Sequence, residues 1–161
     1  MPVTRDIAAT YRGPGAVMRR LLETGTREDR ALAILMAGCA VAFIGQWPRL
    51  AREAHLTGEA LNPLLAGALF GTLFLLPLVL YGVAFVGQLL ARLLGGRVSG
   101  FAARLALFWS FLAASPLLLL HGLVAGFVGP GPGLQAVGLL WCLVFLWFWT
   151  AGLRAAGWSA R

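Results

Sequence analysis

FAARLALFWSFLAASPLLLLHGLVAGFV, residues 101–128, decides the architecture. Read as one helix it crosses a bilayer once; folded back at Pro116 it makes a hairpin and adds a crossing. A hydrocarbon core of ~30 Å takes ~20 apolar helical residues. Three further runs approach or exceed that length: 31–47 (ALAILMAGCAVAFIGQW), bounded by Arg30 and Pro48; 61–94, longer than one crossing needs; and 134–153 (LQAVGLLWCLVFLWFWTAGL). Arginines beside the runs choose between the readings, because basic residues concentrate on the cytoplasmic side. With four spans, Arg5, Arg12, Arg19, Arg20, Arg27, Arg30, Arg92, Arg97, Arg104, Arg154 and Arg161 share one side, and only Arg49 and Arg52 face the other. Eleven against two places both termini in the cytoplasm. A hairpin at Pro116 would move the tail across. The expectation is an all-α polytopic membrane bundle. It comprises a cytoplasmic segment over 1–30, a membrane domain over 31–153 with spans 31–47, 61–94, 101–128 and 134–153, and a cytoplasmic tail over 154–161.

Composition agrees. Of 161 residues, 60% are hydrophobic and only 12% charged, with mean hydropathy +0.83. A soluble domain is about half apolar and a quarter charged. The net charge of +7 comes from thirteen basic residues, all arginine, set against six acidic ones. The arginines are dispersed and flank apolar runs, which fits topology and excludes a nucleic-acid face. Cys39 and Cys142 lie within apolar runs without metal spacing and read as small hydrophobes, not a disulfide. The first fifteen residues lack the apolar core of a cleavable signal. Trp141, Phe145, Trp147, Phe148 and Trp149 crowd the inner half of the fourth span, and Trp47 marks the outer end of the first. Indoles favour the headgroup boundary, so Trp147 and Trp149 are expected at lipid.

Before the first span, 16–25 (AVMRRLLETG) places Val17, Met18, Leu21 and Leu22 on one helical face with Arg19 and Arg20 elsewhere. This is the pattern of a short interfacial helix whose arginines, with Arg12, meet anionic lipid. A helix packed under the bundle would show the same pattern.

Few groups within the spans could do chemistry. His121 sits about 10 Å by helical rise from the outer end of its span, and Ser110, eleven residues earlier, falls on the same face. An intramembrane histidine is a functional hypothesis by default. The expectation for His121 is nevertheless a structural ring bonded to a neighbouring backbone, with a proton or ligand site as the alternative. A metal shared with His55 lacks a completing ligand. Pro116 and Pro77 each remove a helical donor and are expected to kink the third and second spans. Ser115 stands where it could back-bond the broken ladder. Two small-xxx-small pairs, Gly67/Gly71 in span two and Gly122/Gly126 in span three, lie at matching depth and are expected to pack spans two and three together. The spans contain no carboxylate, and the chain has no Walker loop, GxSxG, HExxH or CxxC. Neither a catalytic centre nor a cofactor is expected.

The order of features resembles bacterial members of the Yip family, membrane proteins named for the Ypt/Rab-interacting proteins of eukaryotes. The resemblance runs from YRGPGAVMRRLLETGTREDRALAILMAGC through QWPRLAREAH and the long second span. It is clearest in the span with an internal serine-proline, the GPGPG turn and a last span closing on Gly-Leu-Arg. It implies a polytopic protein without catalytic residues. The eukaryotic relatives engage lipidated Rab GTPases and are usually drawn with five spans, one more than the arginine distribution supports. The expected function is non-enzymatic: scaffolding or organising membrane proteins or lipids in a bacterial cytoplasmic membrane, with lipid and other membrane proteins as partners. The alternative is a small-solute or proton transporter using His121 and the proline-kinked helices.

Overall fold

The structure, a computed structural model, describes residues 2–158; Arg161 and the end of the tail lie outside them. Among the described residues there is no strand. The helices are α1 (Val3–Thr10), α2 (Pro14–Glu23), α3 (Glu28–Thr57), α4 (Leu61–Phe70), α5 (Leu76–Leu93), α6 (Gly100–Ala113), α7 (Ser115–Phe127) and α8 (Pro132–Trp158). A π-helical turn, Gly71–Leu75, joins α4 to α5. Three helices are long and apolar enough to cross a membrane: Glu28–Thr57, Leu61–Leu93 and Pro132–Gly157. The α6–α7 pair, bent by 43°, makes a fourth if it is one span.

The decisive stretch therefore bends and does not fold back. Pro116 has no N–H, and Leu117 N turns to Ala114 O at 3.1 Å, so Ala113 O loses its helical donor. The compensating donor is not Ser115, which is buried but makes no back-bond. It is Tyr11, whose hydroxyl donates to Ala113 O at 2.9 Å from a distant part of the chain. A buried orphan carbonyl is costly, so this bond ties the N-terminal segment to the bend. Burial pushes the Tyr11 phenol above its ordinary pKa, which keeps it a donor.

Helix α6 is the hub. Every residue from Phe101 to Ser115 is buried except Arg104, which pairs with Glu28 at the start of α3. Ser99 caps it, accepting from Ala102 N at 3.1 Å. Helices α1, α3, α5 and α8 pack around it. Lipid tails are as apolar as leucine, so burial alone does not hold such a helix; close dispersion contacts do. Phe108, entirely buried, is met edge-on by Tyr81 of α5 with centroids 5.0 Å apart.

The N-terminal helices differ from expectation. Val17, Met18 and Leu21 of α2 are buried, with Met18 against Gly152 and Gly15 beside Ala155 of α8. The apolar face assigned to lipid is thus covered by the protein's own last helix. Arg19 and Arg12 remain exposed, and Arg20 pairs with the buried Asp6 of α1. Helix α1 leaves its mark at α6, where Trp109 Nε1 donates to Thr10 Oγ1 at 3.1 Å.

The first span also outruns its expected end. Pro48 removes a donor, yet α3 continues to Thr57 and stops only at Gly58, whose φ of 73° suits a residue without Cβ. Its added turns are held by α7: Leu50 is buried, Pro48 lies on Gly126, and Arg52 donates to Gly126 O at 3.2 Å. Arg52, a topological charge in the sequence, thus satisfies a carbonyl at the C-terminus of α7, where a cation is favoured.

Gly122 and Gly126 do mediate a close approach, but with α3. A Cβ on Gly122 would overlap the Gly45 carbonyl, and one on Gly126 would overlap Pro48. Around Gly67 and Gly71 there is nothing within 4 Å, so spans two and three do not pack through these four glycines. Pro77 sits at the start of α5. One turn earlier the ladder widens, Leu76 N bonding to Gly71 O, five residues back. This relieves the clash that the proline ring makes with the carbonyl four residues before it.

Candidate functional site: a polar cavity at the end distal to both termini

The π turn borders an open-sided cavity of about 350 Å³ lined also by α3, α5, α6, α7 and α8. Its polar lining comes from four segments: Gln46 and Arg49 from α3, Thr72 from the π turn, His121 from α7 and Trp141 from α8. The rest is apolar and includes Phe111 of α6. π turns in α-helices are frequently found at functional sites, and the volume lies in the range of small-molecule pockets.

Each polar group has a definite state. Thr72 Oγ1 donates to Ala68 O at 2.7 Å, so its oxygen is left to accept. Arg49 Nη2 donates to Gln46 Oε1 at 3.4 Å, and Arg49 Nη1 lies 3.5 Å from Glu53 Oε2. This leaves the Gln46 amide N–H groups and further Arg49 donors available. Trp141 stacks on Phe145 with centroids 5.3 Å apart and meets Phe111 edge-on. Its indole N–H is buried and has no acceptor. His121 makes no hydrogen bond within the described residues; its ring lies along Gly138, whose Cβ position is 3.5 Å from Nε2. The backbone-bonded structural histidine expected from sequence is therefore not what the fold contains.

Of the other residues singled out by sequence, Ser110 does not join His121. The bend after Ala113 breaks the shared helical face, and Ser110 Oγ is buried, donating to Ala106 O at 2.6 Å. Ser115 is also buried away from the cavity lining. His55 lines a separate cleft with Arg52 and Phe127. Among the described residues no three of His, Cys, Asp and Glu cluster for a metal, and Cys39 and Cys142 are free thiols. Trp147 is exposed as expected for a lipid-facing ring. Trp149 is not: it packs on Gly87 of α5, and its N–H, like that of Trp141, is buried without an acceptor.

Sequence reasoning found His121 but missed Gln46, Thr72 and Trp141. The available signal was the pair Gln46 and Arg49, one turn apart at the end of an apolar span; nothing in the chain marked Trp141 as facing them. Comparison with protein-family models, curated proteins and solved structures finds no match for this chain.

Proposed function

We propose that the chain is a non-enzymatic integral membrane protein of the bacterial cytoplasmic membrane, of the kind the Yip resemblance implies, that organises other membrane proteins or lipids. In this reading α3, α4–α5, α6–α7 and α8 are its four spans, and both termini are cytoplasmic. The observation that carries the reading is the apolar hub: every residue of α6 after Gly100 is buried except Arg104, and Phe111 borders the polar cavity. A transporter needs a polar path that can open to both sides, with binding groups near the midplane. Here the polar groups line two cavities that share no residue, Gln46, Arg49, Thr72, His121 and Trp141 one and Asp6, Arg20, Thr24 and Arg30 the other. The apolar surface is laid out for lipid or a partner helix, with Phe70, Phe74, Leu78 and Phe85 exposed along α4–α5.

Two measurements test this. Single-cysteine labelling in intact cells should reach Gly131 from outside and Arg154 only after permeabilisation; a tail labelled from outside would restore five spans. Photocrosslinkers at Phe74 and Leu78 should give discrete adducts in native membranes that the buried Phe108 position does not. Proteoliposomes that conduct protons or a small solute, with flux lost in His121→Gln, would replace the scaffold by the transporter.

A further inference from the structure

Helices α5 and α8 both pack on α6, and between their C-terminal ends an open groove of about 360 Å³ is left on the outer surface. Leu90 and Leu94 of α5 line it on one side, Leu146 and Leu153 of α8 on the other. The ring of Trp149, seated on Gly87, adds a further apolar face. Along α8 the lining extends from Leu146 to Gly157, about 16 Å by helical rise. The groove is thus long, narrow and apolar. Apart from the indole, its polar side chains are Thr150 and Arg154. Thr150 is spoken for, its hydroxyl donating to Leu146 O at 2.8 Å. Arg154 is exposed and has no ion-pair or hydrogen-bond partner among the described residues. One turn beyond Arg154 the 96–98 loop closes on α8, where a Cβ on Gly157 would stand 3.0 Å from Val98 Cγ2. That loop carries Arg97, also exposed and unpaired among the described residues. No carboxylate lines the groove.

We propose that this groove holds an acyl chain of an anionic phospholipid whose phosphate meets Arg154. Shape and charge each select that occupant. A partner helix is ~10–12 Å across with its side chains, too thick to enter a groove of this volume along this length, whereas an extended hydrocarbon chain is not. Two unpaired cations at one end, with no carboxylate in the lining, complement an anionic headgroup and give a neutral one no advantage. In the four-span reading this end lies at the cytoplasmic headgroup boundary, where basic pockets between helices take anionic lipid. The site rests on the membrane reading and deepens it by naming the class of lipid. Its failure would leave the topology labelling and the crosslinks at Phe74 and Leu78 as they stand.

The full chain is purified in detergent and titrated with phosphatidylglycerol and, separately, with phosphatidylcholine carrying the same acyl chains. The readout is the thermal unfolding midpoint, which a ligand of the folded state raises. Phosphatidylglycerol should act at concentrations about tenfold lower than phosphatidylcholine, the value of a charge-assisted hydrogen bond. Arg154→Gln should erase that preference. Thr150→Phe places a ring in the groove and should remove the response to both lipids. Both side chains are exposed, so the lipid-free variants should melt as the parent does. Phosphatidylglycerol brominated along its acyl chains should also quench tryptophan emission in the parent and less in Thr150→Phe, a readout independent of stability. Arg12→Gln removes the same charge from an exposed site outside the groove and should respond as the parent does. The proposal is overturned if the parent does not discriminate between the lipids, or if Thr150→Phe responds as the parent does. It is equally overturned if Arg12→Gln loses the preference as fully as Arg154→Gln, which would assign it to diffuse charge. A doubled particle mass that Thr150→Phe abolishes would give the groove to a second copy of the chain and overturn it too.

Discussion

The α3–α7 contact and the α4–α5 helix begin from the same local signature and end in opposite circumstances. Gly122 and Gly126 of α7 sit four residues apart, as do Gly67 and Gly71 before α5. The α7 pair is pressed onto the backbone of α3 at Gly45 and Pro48, whereas Gly67 and Gly71 border open space. A small-xxx-small pair thus grants permission for close approach without naming the partner. Gly122 and Gly126 use that permission because α3 brings its own indentation, Gly45, whose Cβ position lies 3.5 Å from Leu118 O. Nothing equivalent faces Gly67.

The largest way to break this contrast is Gly122→Ala. The added methyl meets a backbone carbonyl that cannot rotate away, so α3 and α7 must separate. The expected loss is about 3 kcal/mol, at the upper end of ordinary overpacking, read as a lowered unfolding midpoint in detergent. Tolerance at Gly122 would mean that the two helices do not touch there.

Next comes Tyr11→Phe. The ring and its edge-on contact with Phe148, centroids 4.9 Å apart, are retained, while Ala113 O loses the donor that Tyr11 supplies. Leaving that carbonyl unpaired should cost about 1–2 kcal/mol. Hydrogen exchange in α1 and α2 should rise in the same variant, because the bond docks them to the bend. An unchanged midpoint and unchanged exchange would separate the N-terminal helices from the bundle.

Gly38→Ala should be milder. A Cβ there would stand 2.7 Å from Phe111 Cδ1, a ring edge that can tilt where a carbonyl cannot. A loss of about 1 kcal/mol is expected. The smallest effect belongs to Gly67→Leu and Gly71→Leu, within about 0.5 kcal/mol of the parent because the side chains enter open space. Should either prove as damaging as Gly122→Ala, or change the size of the purified particle, α4 has a partner outside this chain and the contrast inverts.

Helix content and the approximate limits of the apolar runs were legible without coordinates, since length and hydropathy are properties of the chain itself. Gln46 and His121 were visible as polar residues, but their meeting with Thr72 and Trp141 was not. Those four come from four separate segments, and helical periodicity relates only residues on one helix. The persistence of α3 through Pro48 was likewise hidden: a proline lowers local helix stability, and the contacts of α3 with α7 that outweigh it join residues far apart in the sequence.

By itself, then, the sequence determined that these helices form and that they seek apolar surroundings. Uniformly apolar helices such as α6 carry no polar face to orient them, so their chemistry is equally content against lipid or protein. Tertiary structure decided that α6 is the buried hub, that α2 turns its apolar face to α8, and that the glycines of α7 meet α3. In a medium as apolar as the core, shape complementarity and the pairing of a few freed backbone groups select the neighbours, and both depend on residues far apart in the chain.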